Sequence, residues 1–244
     1  MKDKLIKLYY NQQFNPHTIL GILLNPFYFA RLALHKNIKK LSASITGDCL
    51  DVGCGKKPYK HLFTTNQYIG MDIEQTGHTH QNEDIDVFYD GITFPFPNER
   101  FDSIICNQVL EHVFNPDEFL NEINRVLKQG GYILLTVPFV WDEHEQPYDF
   151  ARYSSFGLKS IFEKHGFKVH KQIKSVPNIK VLFQLLNGYI YKKTHTKNGF
   201  INLLITAILI SPFTLMGLIL GLVTPNNNDL YLDNVILAQK NKHA

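Results

Sequence analysis

The sequence predicts an α/β protein organised around a doubly wound, mostly parallel β-sheet, and three observations favour this class. Between residues 49 and 137, short apolar runs typical of buried strands alternate with helical or loop stretches, the pattern of a parallel sheet with right-handed crossovers. The first apolar run leads directly into a turn with two glycines. A length of 244 residues suits one sizeable core with additions.

The composition of the chain argues against nucleic-acid binding, a cysteine-bound metal and secretion. A net charge of +3 is too small to indicate nucleic-acid binding, and the lysines form no continuous basic face. The three cysteines lack the spacing of metal ligands, so free thiols in a reducing compartment are expected. Polar residues interrupt the apolar stretch at residues 19–34 and no cleavage site follows it closely, so no secretory signal is predicted. These features predict a cytoplasmic protein that binds no nucleic acid.

The segment Leu50–Tyr59 predicts a binding site for a nucleotide-type cofactor. Gly53 and Gly55 allow the backbone to turn sharply after an apolar strand and to approach a ligand closely. Pro58 suits the first position of a helix, whose free N–H groups would face the ligand. Asp72 ends the next apolar run, about 20 residues further on, where an acid that binds ribose hydroxyls is expected.

Two features of this segment argue against a dinucleotide. A dinucleotide-binding turn needs a third glycine where this chain has Pro58. Asp51, just before the turn, suits a ligand with an ammonium group better than one with a diphosphate. A nicotinamide-dependent oxidoreductase is therefore the weaker alternative.

The chain resembles the class I S-adenosylmethionine-dependent methyltransferases in five successive motifs. They are the glycine segment, Asp90–Pro97, Phe101–Asn107, Val109–Val113 and Leu127–Pro138. The resemblance extends over residues 47–175, with a final strand near residues 230–239. It implies a Rossmann-like sheet of seven strands with an antiparallel last strand, and S-adenosyl-L-methionine as the cofactor.

By this resemblance, the cofactor site is divided among the ends of several strands. Asp72 is expected to bind the ribose hydroxyls, Ile73 the adenine face and Asp90 the adenine amino group. A role of Asp90 as a turn residue only is the alternative. The residues expected around the methionine part are Asp51, Gly53, Cys54, Gly55, Asn107 and Gln108.

Two histidines are candidates for the base that takes the proton from the acceptor hydroxyl. His144 lies in Trp141–Tyr153, which resembles a His-Glu-x-Pro-Tyr-Asp-Phe-x-Arg-Tyr signature of bacterial methyltransferases, and it is predicted as the general base. His112, in a Leu-Glu-His-Val motif, is the second candidate, with packing near the cofactor as the alternative. The predicted acceptor or structural contacts are Tyr148, Asp149, Arg152 and Tyr153; an ion pair of Asp149 with Arg152 that only holds the loop is an equal alternative.

No metal site is predicted. Neighbouring side chains in Asp142–Glu145 point to opposite sides of an extended segment. The His78-x-His80 pair has no further ligand at a defined spacing.

Helix signals mark the second half of the domain. Asn115 as N-cap and Pro116 as first residue start a helix that Gly130 is expected to end. Ser154 or Ser155 caps a second helix that ends at Gly166. Strands are expected at residues 167–173 and 230–239.

An apolar insertion separates these last two strands. Phe200–Val223 is long enough for a transmembrane helix, but a single crossing would separate the last strand from its sheet. A helical hairpin bent at Ser211–Pro212 is therefore predicted, with membrane association through residues 176–224. An interfacial helix over residues 179–190 and the lysines at 192, 193 and 197 would face the headgroups. Burial against the N-terminal region or a dimer partner is the alternative.

Three regions result from these predictions. They are an N-terminal helical cap of residues 1–45, a methyltransferase domain of residues 46–175 and 229–240, and the apolar helical insertion of residues 176–228. The cap either covers the active site or only caps the sheet. The predicted activity is O-methylation of a small-molecule, lipid-linked, amphipathic or glycan-type acceptor at the inner face of the cell membrane. A non-catalytic cofactor-binding or membrane-scaffolding protein is the alternative from another class, and no oligomeric state is predicted.

Overall fold

The computed structural model of the protein describes residues 12–74 and 84–242. The chain divides into two compact units, one of residues up to Lys36 with Lys174–Leu232, the other of Asn37–Ile173 with the chain from Asp233 on. The second unit contains a β-sheet, and the first consists of helices and connecting segments. The His78-x-His80 pair and the first apolar positions of the N-terminal region lie outside the described residues.

The sheet has seven strands. They are β1 (Asp48–Val52), β2 (Gln67–Ile73), β3 (Val87–Tyr89), β4 (Phe101–Asn107), β5 (Leu127–Pro138), β6 (Phe167–Lys174) and β7 (Asp233–Lys240). Their order is β3-β2-β1-β4-β5-β7-β6. The pairs β1–β2, β1–β4, β2–β3 and β4–β5 are parallel, whereas β7 is antiparallel to β5. The predicted Rossmann-like, mostly parallel sheet with an antiparallel last strand is confirmed.

Six helices of more than one turn lie wholly within the described residues. They are α1 (Ile19–Leu24), α2 (Tyr28–Leu41), α3 (Pro116–Val126), α4 (Ser155–Lys164), α5 (Lys180–Thr194) and α6 (Gly199–Val223). The core of the sheet unit forms where the buried faces of α3 and α4 meet the central strands. It includes Leu50, Ile104, Leu120, Ile123 and Phe162, all fully buried. Such burial of both a sheet face and helix stripes is what stabilises a layered α/β unit.

The two predicted helix starts in this unit differ in their capping. Ser154 is the N-cap of α4, and its Oγ accepts a hydrogen bond of 3.2 Å from the Gly157 N–H. Asn115 occupies the N-cap position of α3, but its side chain makes no capping hydrogen bond. Helix α3 also ends at Val126, before Gly130, because the chain enters β5 at once and pairs with β4. The prediction that Gly130 ends this helix is wrong.

The expected helix after the glycine turn is also absent. Residues 53–66 contain only a 3₁₀ turn at Lys60–Leu62. Lys57 adopts a positive φ of 48°, and its buried ammonium group lies 2.7 Å from Asp86 Oδ2. This ion pair holds the chain against the segment before β3 instead of letting it continue as a helix, so Pro58 starts no helix and that prediction is wrong.

In the helical unit, α5 and α6 form an antiparallel hairpin. Asn187 Nδ2 donates a 2.9 Å hydrogen bond to Thr214 Oγ1, and the turn between the helices is closed by Thr196 and Asn202. Gln184, fully buried on α5, accepts hydrogen bonds from the backbone of Phe29 and Ala30 at the start of α2. Buried polar side chains therefore connect these helices, although Asn187 Oδ1 itself has no hydrogen-bond partner among the described residues.

The chain does not reverse direction at Ser211–Pro212, in contrast to the sequence-based prediction, because Gly199–Val223 is one continuous helix. Helix α6 continues through a π-helical segment, Thr206–Ile210, in which the Ser211 N–H donates to the Thr206 carbonyl. Pro212 then stands in the first turn of the next α-helical stretch. The wider turn accommodates the missing N–H of proline, so the reversal of the hairpin lies between α5 and α6.

Candidate active site

A cavity of about 720 Å³ opens at the carboxyl ends of β1, β2 and β4. The strand register places Val52 beside Met71 and Cys106, so the segments that follow these strands meet at one edge of the sheet. Cavities of this size hold cofactor-sized ligands. The predicted residues that line the cavity are Gly53, Gly55, Asp72, Ile73, Asp90, Gln108, His112, His144 and Tyr148.

Six other predicted residues do not line the cavity within the described part of the chain. They are Asp51, Cys54, Asn107, Asp149, Arg152 and Tyr153. Of these, Asp149 bonds directly to a lining residue, since it accepts from the backbone N–H of His144.

The glycine turn presents bare backbone to the cavity. Gly53 has a φ of +67°, and a Cβ atom there would lie 2.2 Å from Val109 Cγ2. The N–H groups of Gly53 and Cys54 donate to the Met71 carbonyl, at 2.8 and 3.2 Å. The turn is thereby held on β2, and only glycine fits at its first position.

Asp72 connects the second strand to the glycine turn. Its Oδ2 accepts a 3.0 Å hydrogen bond from the Gly55 N–H, and its Oδ1 accepts one of 2.9 Å from the Ile73 N–H. The carboxylate is thus fixed at the cavity wall where the resemblance places the ribose hydroxyls.

Asp51 and Cys54 are buried behind the turn. The Tyr68 hydroxyl donates a 2.6 Å hydrogen bond to Asp51 Oδ2. Burial raises the pKa of Asp51 to about 7, because a charged carboxylate is poorly solvated there. Burial likewise raises the pKa of the Cys54 thiol, so this cysteine is a packing residue and not a reactive thiolate.

Asp90 forms a turn at the end of β3. Its Oδ1 accepts hydrogen bonds of 2.8 Å from the N–H groups of both Thr93 and Ile92, and these bonds lower the pKa of the carboxyl. The side chain is exposed and also lines the cavity. The turn role has a structural basis, and the adenine contact stays a prediction.

Gln108 and Asn107 follow the end of β4. Gln108 has a φ of +56°, a conformation that costs free energy in a residue other than glycine and is often found at functional sites. Its backbone N–H donates to the Thr136 carbonyl at 2.9 Å and its Nε2 to Thr136 Oγ1 at 3.2 Å. Asn107 Oδ1 accepts from the same hydroxyl at 3.4 Å. Gln108 reaches the cavity, while Asn107 supports it from β4.

The two predicted histidines face each other in the cavity wall. Their rings are 4.7 Å apart and nearly perpendicular. His112 Nδ1 lies 2.7 Å from the Tyr148 carbonyl, and His144 Nδ1 lies 3.2 Å from Asp149 Oδ2. Because both partners can only accept, each Nδ1 carries the hydrogen and each Nε2 carries the lone pair of the neutral ring. Burial lowers the pKa of His112 and favours that neutral form.

A tight ion pair holds the loop that carries His144. Arg152 donates to both carboxylate oxygens of Asp149, with Nη2 at 2.7 Å from Oδ2. The same Oδ2 accepts from the His144 N–H at 2.9 Å. Tyr153 does not line the cavity, and its backbone carbonyl accepts a hydrogen bond from Asn234 Nδ2 at 2.7 Å. The structure therefore supports the loop-holding role for Asp149 and Arg152.

Glu111 is a site residue that the sequence analysis overlooked. Its side chain is fully buried, and neither carboxylate oxygen has a hydrogen-bond partner among the described residues. Burial raises its pKa to about 8. Oε1 lies 3.8 Å from His112 Nε2. The available signal was a second titratable residue next to His112 in the Leu-Glu-His-Val motif.

An apolar rim was also missed. Phe114 and Phe150 line the cavity, are largely exposed, and have ring centroids 5.3 Å apart. Ile92 extends the same rim and is 65% exposed. Phe114, between the histidine motif and the start of α3, was the sequence signal for an aromatic cavity edge.

The donor set of this cavity fits S-adenosylmethionine. Exposed backbone at Gly53 and Gly55 suits the amino-acid part, and the Asp72 carboxylate suits a pair of ribose hydroxyls. Ile73, Tyr89 and Phe119 supply the apolar surface that a purine ring needs.

Comparison with known proteins agrees with this fit. Residues 27–172, more than half of the chain, match a family model described as "Methyltransferase domain". A probable S-adenosylmethionine-dependent methyltransferase of Mycolicibacterium smegmatis is 25% identical over 166 residues, 62% of this chain and 63% of that protein. The fatty-acid O-methyltransferase of the same organism is 33% identical over 98 residues, 36% and 35% of the two chains. The chain thus spans less than two thirds of these two relatives.

Other similar proteins match a longer part of the chain or have a solved structure. An uncharacterized protein of Methanocaldococcus jannaschii is 27% identical over 179 residues, 69% of this chain and 83% of that protein. The fold resembles that of the [4+2]-cyclase SpnF, with a TM-score of 0.56, 16% identity and 86% and 81% coverage. It also resembles Haemonchus contortus phosphoethanolamine N-methyltransferase 2 in complex with S-adenosyl-L-methionine, with a TM-score of 0.51, 17% identity and 84% and 51% coverage.

These structural likenesses concern the fold alone, because the sequence identities are low. The family match is independent of them and covers the glycine turn, β1 to β5 and the histidine loop. Together with the cavity, that match shows that the chain belongs to the class I S-adenosylmethionine-dependent methyltransferases.

Proposed function

We propose that this protein transfers the methyl group of S-adenosylmethionine to a hydroxyl oxygen of a lipid-linked, amphipathic or glycan-type acceptor. The observation that carries this proposal is the facing pair His112 and His144, which shares one cavity with Gly53, Gly55 and Asp72. Cofactor binding and a proton-accepting group therefore meet in a single site. The alternative of a nicotinamide-dependent oxidoreductase gives way to the family assignment.

In this proposal the cofactor contacts follow the cavity wall. Asp72 binds the ribose hydroxyls, Ile73 lies on the adenine ring, and Gln108 with the glycine backbone holds the methionine part. Asp51, Cys54 and Asn107 support these groups from behind, since they do not line the cavity in the described structure. Asp90 contacts the adenine from the rim.

S-adenosylmethionine supplies an electrophilic methyl group on a sulfonium. The protein has to align the acceptor oxygen with that carbon and exclude competing water, because alignment provides much of the rate enhancement in such a displacement. As the new O–C bond forms and the C–S bond breaks, the hydroxyl proton passes to the Nε2 lone pair of His144. General base catalysis of this kind contributes about 10²–10⁴-fold.

The rim of the cavity supports an acceptor with an apolar part. Phe114, Phe150 and Ile92 are large, exposed hydrophobic residues around a partly polar interior. An exposed apolar patch next to a pocket often marks a binding surface. The similarity to a fatty-acid O-methyltransferase adds support for an acceptor with an alkyl chain.

We further propose that the helical unit associates with a membrane surface. Helix α6 is long and apolar enough to cross a membrane by length and composition, and 28% of its most apolar window is buried. Its exposed residues include Ile208, Ile219 and Leu222, and Leu182 and Tyr189 of α5 are exposed as well. The hairpin returns the chain to the side from which it started, so association requires no crossing.

The proposed location is the inner face of the cell membrane. All three cysteines are buried free thiols, which suits a reducing compartment. Lysines at positions 192, 193 and 197 lie where α5 turns into α6, and cations there favour anionic headgroups. The N-terminal region belongs to the same compact unit as this hairpin, and its earlier interpretation as a lid stays a prediction.

Calorimetric titration tests the cofactor part of the proposal. Purified protein should bind S-adenosylmethionine and S-adenosylhomocysteine, and Asp72→Ala should weaken both at least tenfold because the ribose hydroxyls lose their acceptor. NADH should not bind. Absence of S-adenosylmethionine binding in protein shown to be folded would contradict the proposal and favour a membrane-scaffolding role.

His144→Ala tests the chemistry. We expect unchanged S-adenosylmethionine affinity and about 10²–10⁴-fold lower methyl transfer to acceptors in a membrane extract, measured with radiolabelled methyl groups. His170→Ala is the control, since His170 lies on β6 and bonds to Gln239. Equal turnover of the two variants would exclude His144 as an activating residue, and bound cofactor that is never demethylated by any extract would favour a non-catalytic protein.

A further inference from the structure

The carboxylate of Glu111 requires a partner that the described residues do not supply. It is fully buried, and both of its oxygens lack hydrogen-bond partners in the described chain. Leaving a buried carboxyl group without a partner costs free energy whether the group is neutral or charged, and more when it is charged. Buried acids are therefore normally hydrogen-bonded, paired with a cation or coordinated to a metal ion.

Two nitrogen donors lie next to this carboxylate. His112 and His144 direct their Nδ1 atoms at an oxygen of Tyr148 and of Asp149, respectively. A histidine that binds a metal ion typically donates its second N–H to a carbonyl or carboxylate, which fixes the ring and leaves Nε2 as the ligand atom. Both rings therefore already have the outer hydrogen bond that metal ligands use.

The three residues also lie close enough to share one ion. One ligand atom from each of Glu111, His112 and His144 lies within 4.8 Å of the other two. We propose that these three side chains form a binding site for one divalent transition-metal ion at the acceptor end of the cavity. Metal–ligand distances near 2.1 Å require each ligand atom to move inward by about 1 Å, which side-chain rotation provides.

No local pattern in the sequence reveals this site, because its ligands come from two segments that are far apart in the chain. Glu111 and His112 follow β4, whereas His144 follows β5, and the parallel pairing of these strands brings the two segments together. Two imidazoles and one carboxylate suit Mn²⁺, Fe²⁺ or Zn²⁺ better than Mg²⁺ or Ca²⁺, which prefer oxygen ligands. Three protein ligands leave coordination positions open, as in catalytic sites.

The role of the ion in catalysis rests on the proposed function, whereas ion binding itself does not depend on that function. An acceptor hydroxyl that binds to the ion loses its proton more readily. With the ion bound, the Nε2 lone pair of His144 would hold the metal and would no longer accept the proton as it does in the ion-free site. The hydroxyl proton would instead pass to water at the exposed rim of the cavity, and the oxygen would then accept the methyl group. A metal ion at this position restricts the acceptor to molecules whose hydroxyl group can coordinate the ion, for example a hydroxyl beside a second oxygen.

Ion binding is measured on the full chain without a histidine tag, after treatment with a chelator. Mn²⁺ is titrated and free Mn²⁺ is followed by electron paramagnetic resonance, with Zn²⁺ titrated by calorimetry. We expect one ion per chain, at least tenfold weaker binding in His112→Ala, His144→Ala and Glu111→Gln, and Mg²⁺ and Ca²⁺ binding much weaker than either probe. His170→Ala and Glu163→Gln, both on the surface, should bind as the unaltered protein does.

The result is interpreted alongside S-adenosylmethionine binding, and circular dichroism shows independently that each variant is folded. Cofactor binding with no Mn²⁺ or Zn²⁺ binding below 1 mM would overturn the metal site and leave the proposed methyltransferase function standing. Ion binding that all three ligand variants retain would overturn it too. Loss of cofactor binding in folded protein that still binds one ion would contradict the proposed function instead.

Discussion

Asp149 connects Arg152 to His144 within the loop Trp141–Tyr153. Its Oδ2 lies 2.7 Å from Arg152 Nη2, 2.9 Å from the His144 backbone N and 3.2 Å from His144 Nδ1. The side chain itself is only 4% exposed. Burial alone would raise the pKa of Asp149, but the guanidinium and the hydrogen bonds outweigh it and lower the pKa to about 2.

This shift predicts a pH-dependent contribution to stability. A carboxyl whose pKa is lower in the folded than in the unfolded protein stabilises the fold above the unfolded value of about 3.9, and the contribution is lost as the pH falls toward 2. The melting temperature of the protein should therefore exceed that of Asp149→Asn above pH 5, with about half of the associated free energy lost by pH 3. Thermal melts from pH 6 to pH 3 measure this. A difference that does not change over that range would contradict it.

At the residue scale, the sequence predicted which residues surround the cavity better than it predicted which of them reach the cavity surface. Gly53, Gly55 and Asp72 were predicted from spacing and line the cavity. Asp51 was predicted from the same motif, but it is turned to Tyr68 and buried. The direction of a side chain at a strand end depends on tertiary partners such as Tyr68, and no local pattern contains that information.

At the element scale, α3 and α4 offer a matched test of helix capping. Both start after a residue type that favours the N-cap position, but only Ser154 makes the capping hydrogen bond. Ser154→Ala should lower the free energy of unfolding by about 1 kcal/mol, whereas Asn115→Ala should change it by less than half as much. Urea unfolding followed by circular dichroism measures both. Equal losses would show that capping does not distinguish the two helices.

Strands were predicted more reliably than the segments between them. Tyr68–Asp72 is a short apolar run that ends in an acid, Phe101–Asn107 resembles the fourth strand of the family, and the structure confirms β2 and β4 there. The helix expected at Pro58 is missing because Lys57 pairs with Asp86, about 30 residues further on. The bend expected at Pro212 is missing because a π-helical turn absorbs the proline. Both errors arose where a nonlocal contact or a rare backbone geometry overrode local preference.

At the scale of the whole molecule, the chain leaves its sheet unit and returns to it. Residues up to Lys36 share a unit with Lys174–Leu232, whereas the sequence analysis separated residues 1–45 from an insertion of residues 176–228. Gln184 connects these two stretches within the unit by its hydrogen bonds to α2. That connection joins residues more than 150 positions apart, and it agrees with the alternative in which the insertion packs against the N-terminal region.

The exposed apolar side chains of α6 lead to the last prediction, binding of the full chain to lipid vesicles. We expect it to sediment with vesicles, more strongly when they contain anionic lipid, because the lysines of the hairpin favour such headgroups. Leu222→Asp replaces a side chain that is 84% exposed. Burying such a side chain in lipid is worth about 1.5–3 kcal/mol, so binding should weaken about tenfold or more. Phe156→Asp is the control, since Phe156 is 80% exposed on α4 of the sheet unit and should not affect binding. Equal weakening by both variants, or no sedimentation with any vesicle, would show that the apolar face of α6 contacts protein and not lipid.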